Sequence, residues 1–471
     1  MGYMTNVQTA KTGPERDLCD EQRNRLLRSD PMRIQRVRVD GLFHSFSHDV
    51  PLNLDERITI IHAPNGFGKT ALLRLIDGLF NSQTSVLRTY PFREFEVAFT
   101  DASTLVVTKT ETPSKAKRER GPTTRIEVRY GDHPSFHLGA VQSPEDVEFL
   151  AQMIEQSVPG LMRVESDMWQ TTDGELLDFK GVQGRYGEYL TGRRPHQQDT
   201  PEWLRQLCKQ VKVRFIGTDR LQSFTTQPTR MRRGASIPKP TVLSYSDDLA
   251  QRIQSTLAKY GELSQSLDRS FPTRLIHGPS SPVLSIDAIT AKLGAFEKKR
   301  ATLIDAGLLE PQPGPELASL AIDEQRTLAL SIYVDDVEKK LAVLDVLAEK
   351  IDLFRSVISQ RFQHKQMRIN KDRGFYFVTG TEQVLDASSL SSGEQHEVVL
   401  LYELLFNTRP DSLILIDEPE ISLHVAWQQQ FLHDLLKMTQ LSKFDVLLAT
   451  HSPLIIDDRW DLTVELGAAQ P

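Results

Sequence analysis

Four short clusters of residues carry side chains suited to phosphate chemistry. Asn65-Gly66-Phe67-Gly68-Lys69-Thr70 combines two glycines, an ammonium and a hydroxyl. Glycines at this spacing let successive backbone N–H groups turn inward, Lys69 adds a point charge at the outer phosphates, and Thr70 can ligate Mg²⁺. Against the G-x-x-x-x-G-K-[ST] pattern, Ala63 stands where the first glycine belongs. Asp417-Glu418 offers two adjacent carboxylates, one to orient a metal and one to polarise a water. His451 supplies an imidazole, and Ser391-Ser392-Gly393-Glu394 reads as a helix start whose N–H groups attract anions. Each cluster alone has an ordinary alternative: a structural turn, strand-end charges, a surface histidine and a plain helix cap.

The flanking residues predict the elements that position these groups. Ile58, Ile60 and Ile61 predict a buried strand, and Leu72, Leu75, Ile76, Leu79 and Phe80 recur at helical spacing, so the glycine turn lies between strand and helix. The helix start there adds its own partial positive charge. Leu413–Ile416 and Val446–Ala449 read as fully buried strands, ending in Asp417-Glu418 and in Thr450-His451. In a parallel sheet such strand ends form the ligand edge. Val398, Leu401, Leu404 and Leu405 continue the helix that Ser391 opens.

At 471 residues the chain is long enough for two or three structural units. Its net charge of -7 carries no basic excess, so any nucleic-acid contact must come from local patches. Two cysteines, Cys19 and Cys208, exclude a disulfide framework or a cysteine metal site and fit a reducing compartment, with the cytoplasm as the expected location. No run approaches the roughly 18 apolar residues of a membrane span, so no membrane contact is expected.

Residues 1–31 read as a polar, flexible segment, and 32–245 as a first lobe that contains the glycine turn. Within it, Val37 and Val39 alternate with Arg36 and Arg38 as a strand before the glycine turn, and alternation at Phe95, Val97 and Phe99, the apolar run Leu105–Val107, and alternation at Ile126, Val128 and Tyr130 predict an antiparallel meander. Residues 144–210 read as mostly helical, with Trp169 and Trp203 as core anchors, before a strand from Val211 to Ile216. Two basic loops stand out, one with Lys115, Lys117, Arg118 and Arg120, the other with Arg230, Arg232, Arg233 and Lys239. Residues 246–365 read as a helical insertion. There Val337, Leu341, Leu344, Ala348 and Ile351 form a short seam, expected to pack internally rather than against another subunit. Residues 366–471 hold the remaining clusters.

In this order the motifs resemble those of the ABC-type ATPase heads of the SMC and RecF group, and more closely the short-armed OLD-like ATPases of bacterial defence. Asn65–Thr70 resembles the Walker A motif, Leu390-Ser-Ser-Gly-Glu394 the signature motif with Ser392 in place of a usual glycine, Asp417-Glu418 Walker B, and His451 the switch histidine. Glu418-Pro-Glu-Ile-Ser-Leu-His424 is similar to the segment that follows Walker B in the defence ATPases, and Gln222 falls near the expected Q-loop glutamine.

The resemblance implies an α/β ABC-type head of two lobes with a short helical insertion, binding ATP and Mg²⁺. It implies a homo-oligomer, at least a dimer, in which Ser391, Gly393 and Glu394 of one copy complete the P-loop site of another. Thr70 and Asp417 would hold the metal, Glu418 would position the water and His451 would contact the γ-phosphate. After His451 twenty residues remain, too few for a fused nuclease domain. The expected role is therefore an antiphage sensor and scaffold that holds a separate effector nuclease and answers a viral protein trigger, similar to PARIS-type systems, with Septu-type systems as a second match. The alternative is a RecF-like repair ATPase that contacts DNA through the basic loops.

Overall fold

The computed structural model describes residues 31–81, 83–112, 123–138, 162–165, 168–170, 176–178, 200–217, 240–278, 282–311, 323, 326–362 and 364–467. Gln222 and both basic loops lie outside the described residues.

A five-stranded, all-parallel sheet organises the fold. Its order is β11 (Val213–Ile216), β15 (Leu413–Asp417), β16 (Asp445–Thr450), β3 (Ile58–His62) and β17 (Thr463–Glu465). The three central strands are short runs of Ile, Leu and Val, as burial on both faces demands. Successive residues point to opposite faces. Ile58, Ile60, Ile414, Ile416, Val446 and Leu448 enter one hydrophobic core, whereas Ile61, Leu413, Leu415, Leu447 and Ala449 enter another. One sheet thus serves as the shared wall of two cores.

The second of these cores is closed by helix α1 (Lys69–Phe80) and by an antiparallel sheet of six strands. That sheet runs β2 (Phe46–Pro51), β1 (Ile34–Leu42), β4 (Glu94–Phe99), β5 (Thr104–Thr112), β6 (Thr123–Tyr130) and β7 (Phe136–Leu138). The expected meander is present as β4, β5 and β6, with Phe95, Val97, Phe99, Leu105, Val107, Ile126 and Val128 turned inward. Among the described residues, this half of the chain also holds the short helices α2 (Thr84–Thr89) and α3 (Glu202–Gln210).

Much of 144–210, read as mostly helical, lies outside the described residues. Strands β8 (Met162–Glu165), β9 (Met168–Gln170) and β10 (Leu176–Asp178) form an antiparallel three-stranded sheet, and α3 is the helix described in that stretch. Strands of three or four residues are shorter than the window over which periodicity is legible. Trp169 is fully buried, as expected of an anchor. Trp203 is half-buried on α3 and stacks on Tyr130, with ring centroids 5.8 Å apart.

The first core is built by helices α4 (Thr241–His277), α5 (Ile286–Asp305) and α6 (Thr327–Arg361), the hairpin β12 (Lys365–Asn370) and β13 (Gly374–Thr379) with β14 (Val384–Leu385), then α7 (Ser392–Phe406) and α8 (Val425–Ser442). The seam residues Val337, Leu341, Leu344, Ala348 and Ile351 are buried there with Val242, Leu249 and Ile253 of α4, which is the internal packing anticipated. Farther along the pair, Arg274 of α4 donates to both Asp336 oxygens at 2.6 and 2.8 Å. Lys292 and Lys299 of α5 bond Glu338 and Asp345 of α6 at 2.6 and 2.7 Å. At the base of α6, the fully buried Arg361 guanidinium lies between Glu397 of α7 and Asp434 of α8, one cation facing two carboxylates.

Candidate nucleotide site

The site forms where the central strands of the parallel sheet end. Parallel register sets Asp417 opposite Ala449, Ala449 opposite Ile61 and Thr450 opposite His62, so the residues after β15, β16 and β3 emerge on one edge. Three of the four sequence clusters therefore meet there without further coincidence.

From β3 the chain turns through Ala63–Gly68 into α1. Gly66 and Gly68 have φ of 90° and 86°, in the left-handed region that glycine reaches without strain. At Gly68 a Cβ would also stand 2.6 Å from the Leu42 Cδ2. Ala63 is not among the residues of positive φ, so the turn does not need the glycine that the motif has there. The buried Lys69 ammonium donates to the Ala63 carbonyl at 2.6 Å and the Pro64 carbonyl at 3.3 Å, which holds it inside the loop. Phe67 is braced from β2: the His48 Nε2 lies 2.8 Å from its carbonyl oxygen, and its ring packs on Phe46 at 5.3 Å between centroids. Burial pushes the His48 imidazole below its ordinary value.

The Thr70 hydroxyl donates to the Asp417 Oδ1 at 3.1 Å, joining the helix start to the carboxylate strand. Burial raises the Asp417 carboxyl above its usual range, and the neighbouring Glu418 charge adds to that rise. The Thr70 hydrogen bond and the charges of Arg74 and Lys69 oppose it. Arg74, one turn along α1, lies over the Phe215 ring of β11 at 4.0 Å. A hydroxyl beside an incompletely compensated buried carboxylate is a hard-oxygen pair suited to Mg²⁺, which takes one or two protein ligands and fills its sphere with phosphate and water. Among the described residues there is no group of three or more His, Cys, Asp or Glu arranged for a metal.

Glu418 has φ of 41°, and its N–H donates to the Ala449 carbonyl at 2.9 Å, fastening the turn after β15 to β16. Its carboxylate is partly exposed, and its Oε1 lies 3.7 Å from the His451 Nδ1. Glu420, two residues on, lies closer at 3.1 Å and is nearly buried. No role was read for Glu420 from the sequence. The signal available was its place inside the Glu418–His424 segment.

Ser391 caps α7 in a full capping box. Its N–H and hydroxyl donate to the Glu394 Oε2 at 2.8 Å each, and the Glu394 N–H donates back to the Ser391 Oγ at 3.4 Å. Lys365 of β12 bonds both Glu394 oxygens at 2.8 and 2.7 Å. Burial pushes the Glu394 carboxyl up, but Lys365 and the two Ser391 donors together bring it below the usual range. Ser391 and Ser392 are exposed and a Cβ at Gly393 would meet nothing within 4 Å, so this helix start faces open space. Its hydrogen bonds run to Glu394 and to neighbouring backbone, and the P-loop of the same chain supplies none of them.

Residues 224–457 match the family model described as "AAA domain, putative AbiEii toxin, Type IV TA system". The matched stretch carries α7, Asp417-Glu418 and His451 and leaves the P-loop outside it. No curated protein matches the chain. Among solved structures, the chain is similar to the Smc head domain with an extended coiled coil from Pyrococcus furiosus, determined bound to the C-terminal domain of ScpA, at 12% identity and a TM-score of 0.33. It is also similar to the SMC head domain from Thermotoga maritima, at 12% identity and a TM-score of 0.29. Both alignments cover 90% of this chain and 91% of the other. The mixed α/β architecture is established by the chain's own sheets and helices.

Proposed function

We propose that this chain binds and hydrolyses ATP at composite sites between two copies of itself, and that it is the sensor and scaffold subunit of a bacterial antiphage complex that holds a separate effector nuclease. The observation that carries the nucleotide reading is the Thr70 to Asp417 hydrogen bond of 3.1 Å, with Lys69, Glu418 and His451 gathered at the same strand ends. In this reading the loop amides and Lys69 hold the phosphates. Thr70 and Asp417 would hold a Mg²⁺, which would supply charge neutralisation to the phosphates. Glu418 accepts the proton of the attacking water as the terminal P–O bond breaks and ADP leaves, while His451 faces the γ-phosphate.

The exposed start of α7 supports the composite site, because Ser391 and Ser392 are exposed and a Cβ at Gly393 would meet nothing within 4 Å, which leaves room there for a nucleotide held by another copy. The defence role rests on the resemblance of the motif order to the OLD-like ATPases and on a family description that includes a toxin of a toxin–antitoxin system.

Glu418→Gln should keep ATP affinity and lower turnover by about 10²- to 10⁴-fold, whereas Lys69→Ala should weaken ATP binding itself. Unchanged affinity in Lys69→Ala would sink the site. Mixing Lys69→Ala with Gly393→Asp subunits should restore part of the activity, because the two lesions segregate to different pockets. The partner reading is tested by co-purification with the product of a neighbouring nuclease gene. Tight, partner-independent binding to duplex DNA, with a salt slope of about -0.9 per phosphate neutralised and loss on neutralising the basic loops, would favour the repair role instead.

A further inference from the structure

The switch histidine is held by a carboxylate that the reaction scheme does not use. Glu420 sits in the 3₁₀ turn Pro419–Ser422, and its Oε1 is the focus of three groups from the end of β16. The Thr450 hydroxyl donates to it at 2.6 Å, the His451 N–H donates at 2.9 Å, and the His451 Nδ1 lies 3.1 Å away. The Glu420 side chain is only 6% exposed, against 44% for that of His451. Its second oxygen is buried without a hydrogen-bond partner. A carboxylate kept in such surroundings, with one oxygen unsatisfied, is costly as a mere loop fastener, since a neutral acceptor would serve the same two donors.

The turn is already fastened by other means. Gln428 of α8 donates to the carbonyls of Glu420 and Leu423 at 3.3 and 3.2 Å, and the Ser452 hydroxyl donates to the Gln428 Oε1 at 3.0 Å. The Ser452 N–H in turn donates to the Thr450 Oγ1 at 3.0 Å. What Glu420 adds is a negative charge at one particular ring nitrogen. Which nitrogen of a histidine carries the proton is set by the partner of the other, and a carboxylate at Nδ1 selects the Nδ1–H form.

We propose that Glu420 is a positioning residue that fixes the orientation and tautomer of His451, holding the proton on Nδ1 and presenting Nε2 to the phosphate. This rests on the ATPase reading for its purpose, but the geometry it asserts exists in the protein alone. Within ion-pair distance of the ring, the described residues place two titratable groups, Glu418 at 3.7 Å and Glu420 at 3.1 Å from Nδ1. Removing the Glu420 charge takes away the acceptor that selects Nδ1–H and leaves Glu418, at 3.7 Å, as the nearest carboxylate to that nitrogen.

The test uses the full-length chain with Glu420→Gln, which keeps an acceptor for Thr450 and for the His451 N–H and removes the charge. Histidine-ring nitrogen NMR without nucleotide, with the His451 signal assigned by its loss in His451→Gln, should show the neutral ring with its proton on Nδ1 in the parent and moved toward Nε2 in Glu420→Gln. Glu420→Asp, which retains the charge, should keep the parent tautomer and serves if the Gln variant does not fold. With ATP, Glu420→Gln should lower kcat by about 10- to 100-fold while KM stays within about twofold. In a His451→Gln background the same substitution should have little further effect. An unchanged tautomer, or a Glu420→Gln defect that adds in full to that of His451→Gln, would overturn the proposal. A changed tautomer in a protein without ATP turnover would uphold the geometry and refute the enzymatic reading alone.

Discussion

The buried cluster at the base of α6 invites a quantitative test. Arg361, Glu397 and Asp434 join the last turn of α6 to the helix that Ser391 opens and to the helix after the carboxylate strand, and the three side chains are between 1% and 5% exposed. The guanidinium faces two carboxylates and neutralises at most half of their charge; beyond it, Asp434 has the part-exposed Lys437 ammonium 3.8 Å from its Oδ1. Burial alone pulls the Arg361 guanidinium below its ordinary value, while the Asp434 charge opposes that pull. Removing one partner of such a cluster costs about 3–5 kcal/mol, because the remaining charges stay buried without compensation. At about 2 cal/mol/K per residue, the melting entropy of a chain this long is about 1 kcal/mol/K, so Arg361→Met should lower Tm by about 3–5 °C. The triple change to Arg361→Met, Glu397→Gln and Asp434→Asn removes every charge and should recover most of that loss. Differential scanning calorimetry on the three proteins reads both numbers. A Tm for Arg361→Met within about 1 °C of the parent would show that the carboxylates do not depend on the guanidinium, and the reasoning would fail.

Further consequences can be checked with the same purified protein. Because burial raises the Asp417 carboxyl, its ionisation costs stability as pH rises from the unfolded carboxylate value through the raised folded one, and the full cost is present at neutral pH. Asp417→Asn should therefore raise Tm at pH 7 without nucleotide and gain less than the parent from added Mg-ATP; a lower Tm would contradict this. Gly68→Ala must hold φ near 86° with a Cβ against Leu42, so ATP affinity by calorimetric titration should fall about tenfold, from roughly 1–2 kcal/mol of backbone strain. The Glu394 carboxyl is held below its usual range, so it contributes stability above the unfolded carboxylate value that is lost as pH falls through the folded one. Lys365→Met should flatten that acid limb of a Tm-against-pH curve, and an unchanged limb would argue against the Lys365 to Glu394 bond.

The local parts of the site were legible because they depend on neighbours in sequence. A strand of isoleucines, two glycines and a helix with one apolar face specify the P-loop within two dozen residues, and Asp417-Glu418 and His451 follow equally plain strands. Relations between distant segments were not legible. That β17 lies beside β3, that Lys365 reaches Glu394, and that Glu420 rather than Glu418 is nearer to His451 all depend on where strands and turns meet in space. The ion pair from Arg33 to Asp445 joins residues 412 positions apart, which no local pattern signals. Strands β8 to β10 were missed for the opposite reason, being so short that local pattern had nothing to count.

The backbone at Glu418 has a consequence for how such a chain could change. With φ of 41° and ψ of 61°, the residue proposed here to polarise the attacking water occupies a conformation that asparagine or glycine would adopt at lower cost. Folding and turnover thus ask for different residues at one position. A library randomised at 418 and screened only for thermal tolerance should drift toward Asn and Gly, whereas one screened for ATP turnover should return Glu. The divergence of the two screens would measure how far stability has been given up for chemistry at this position.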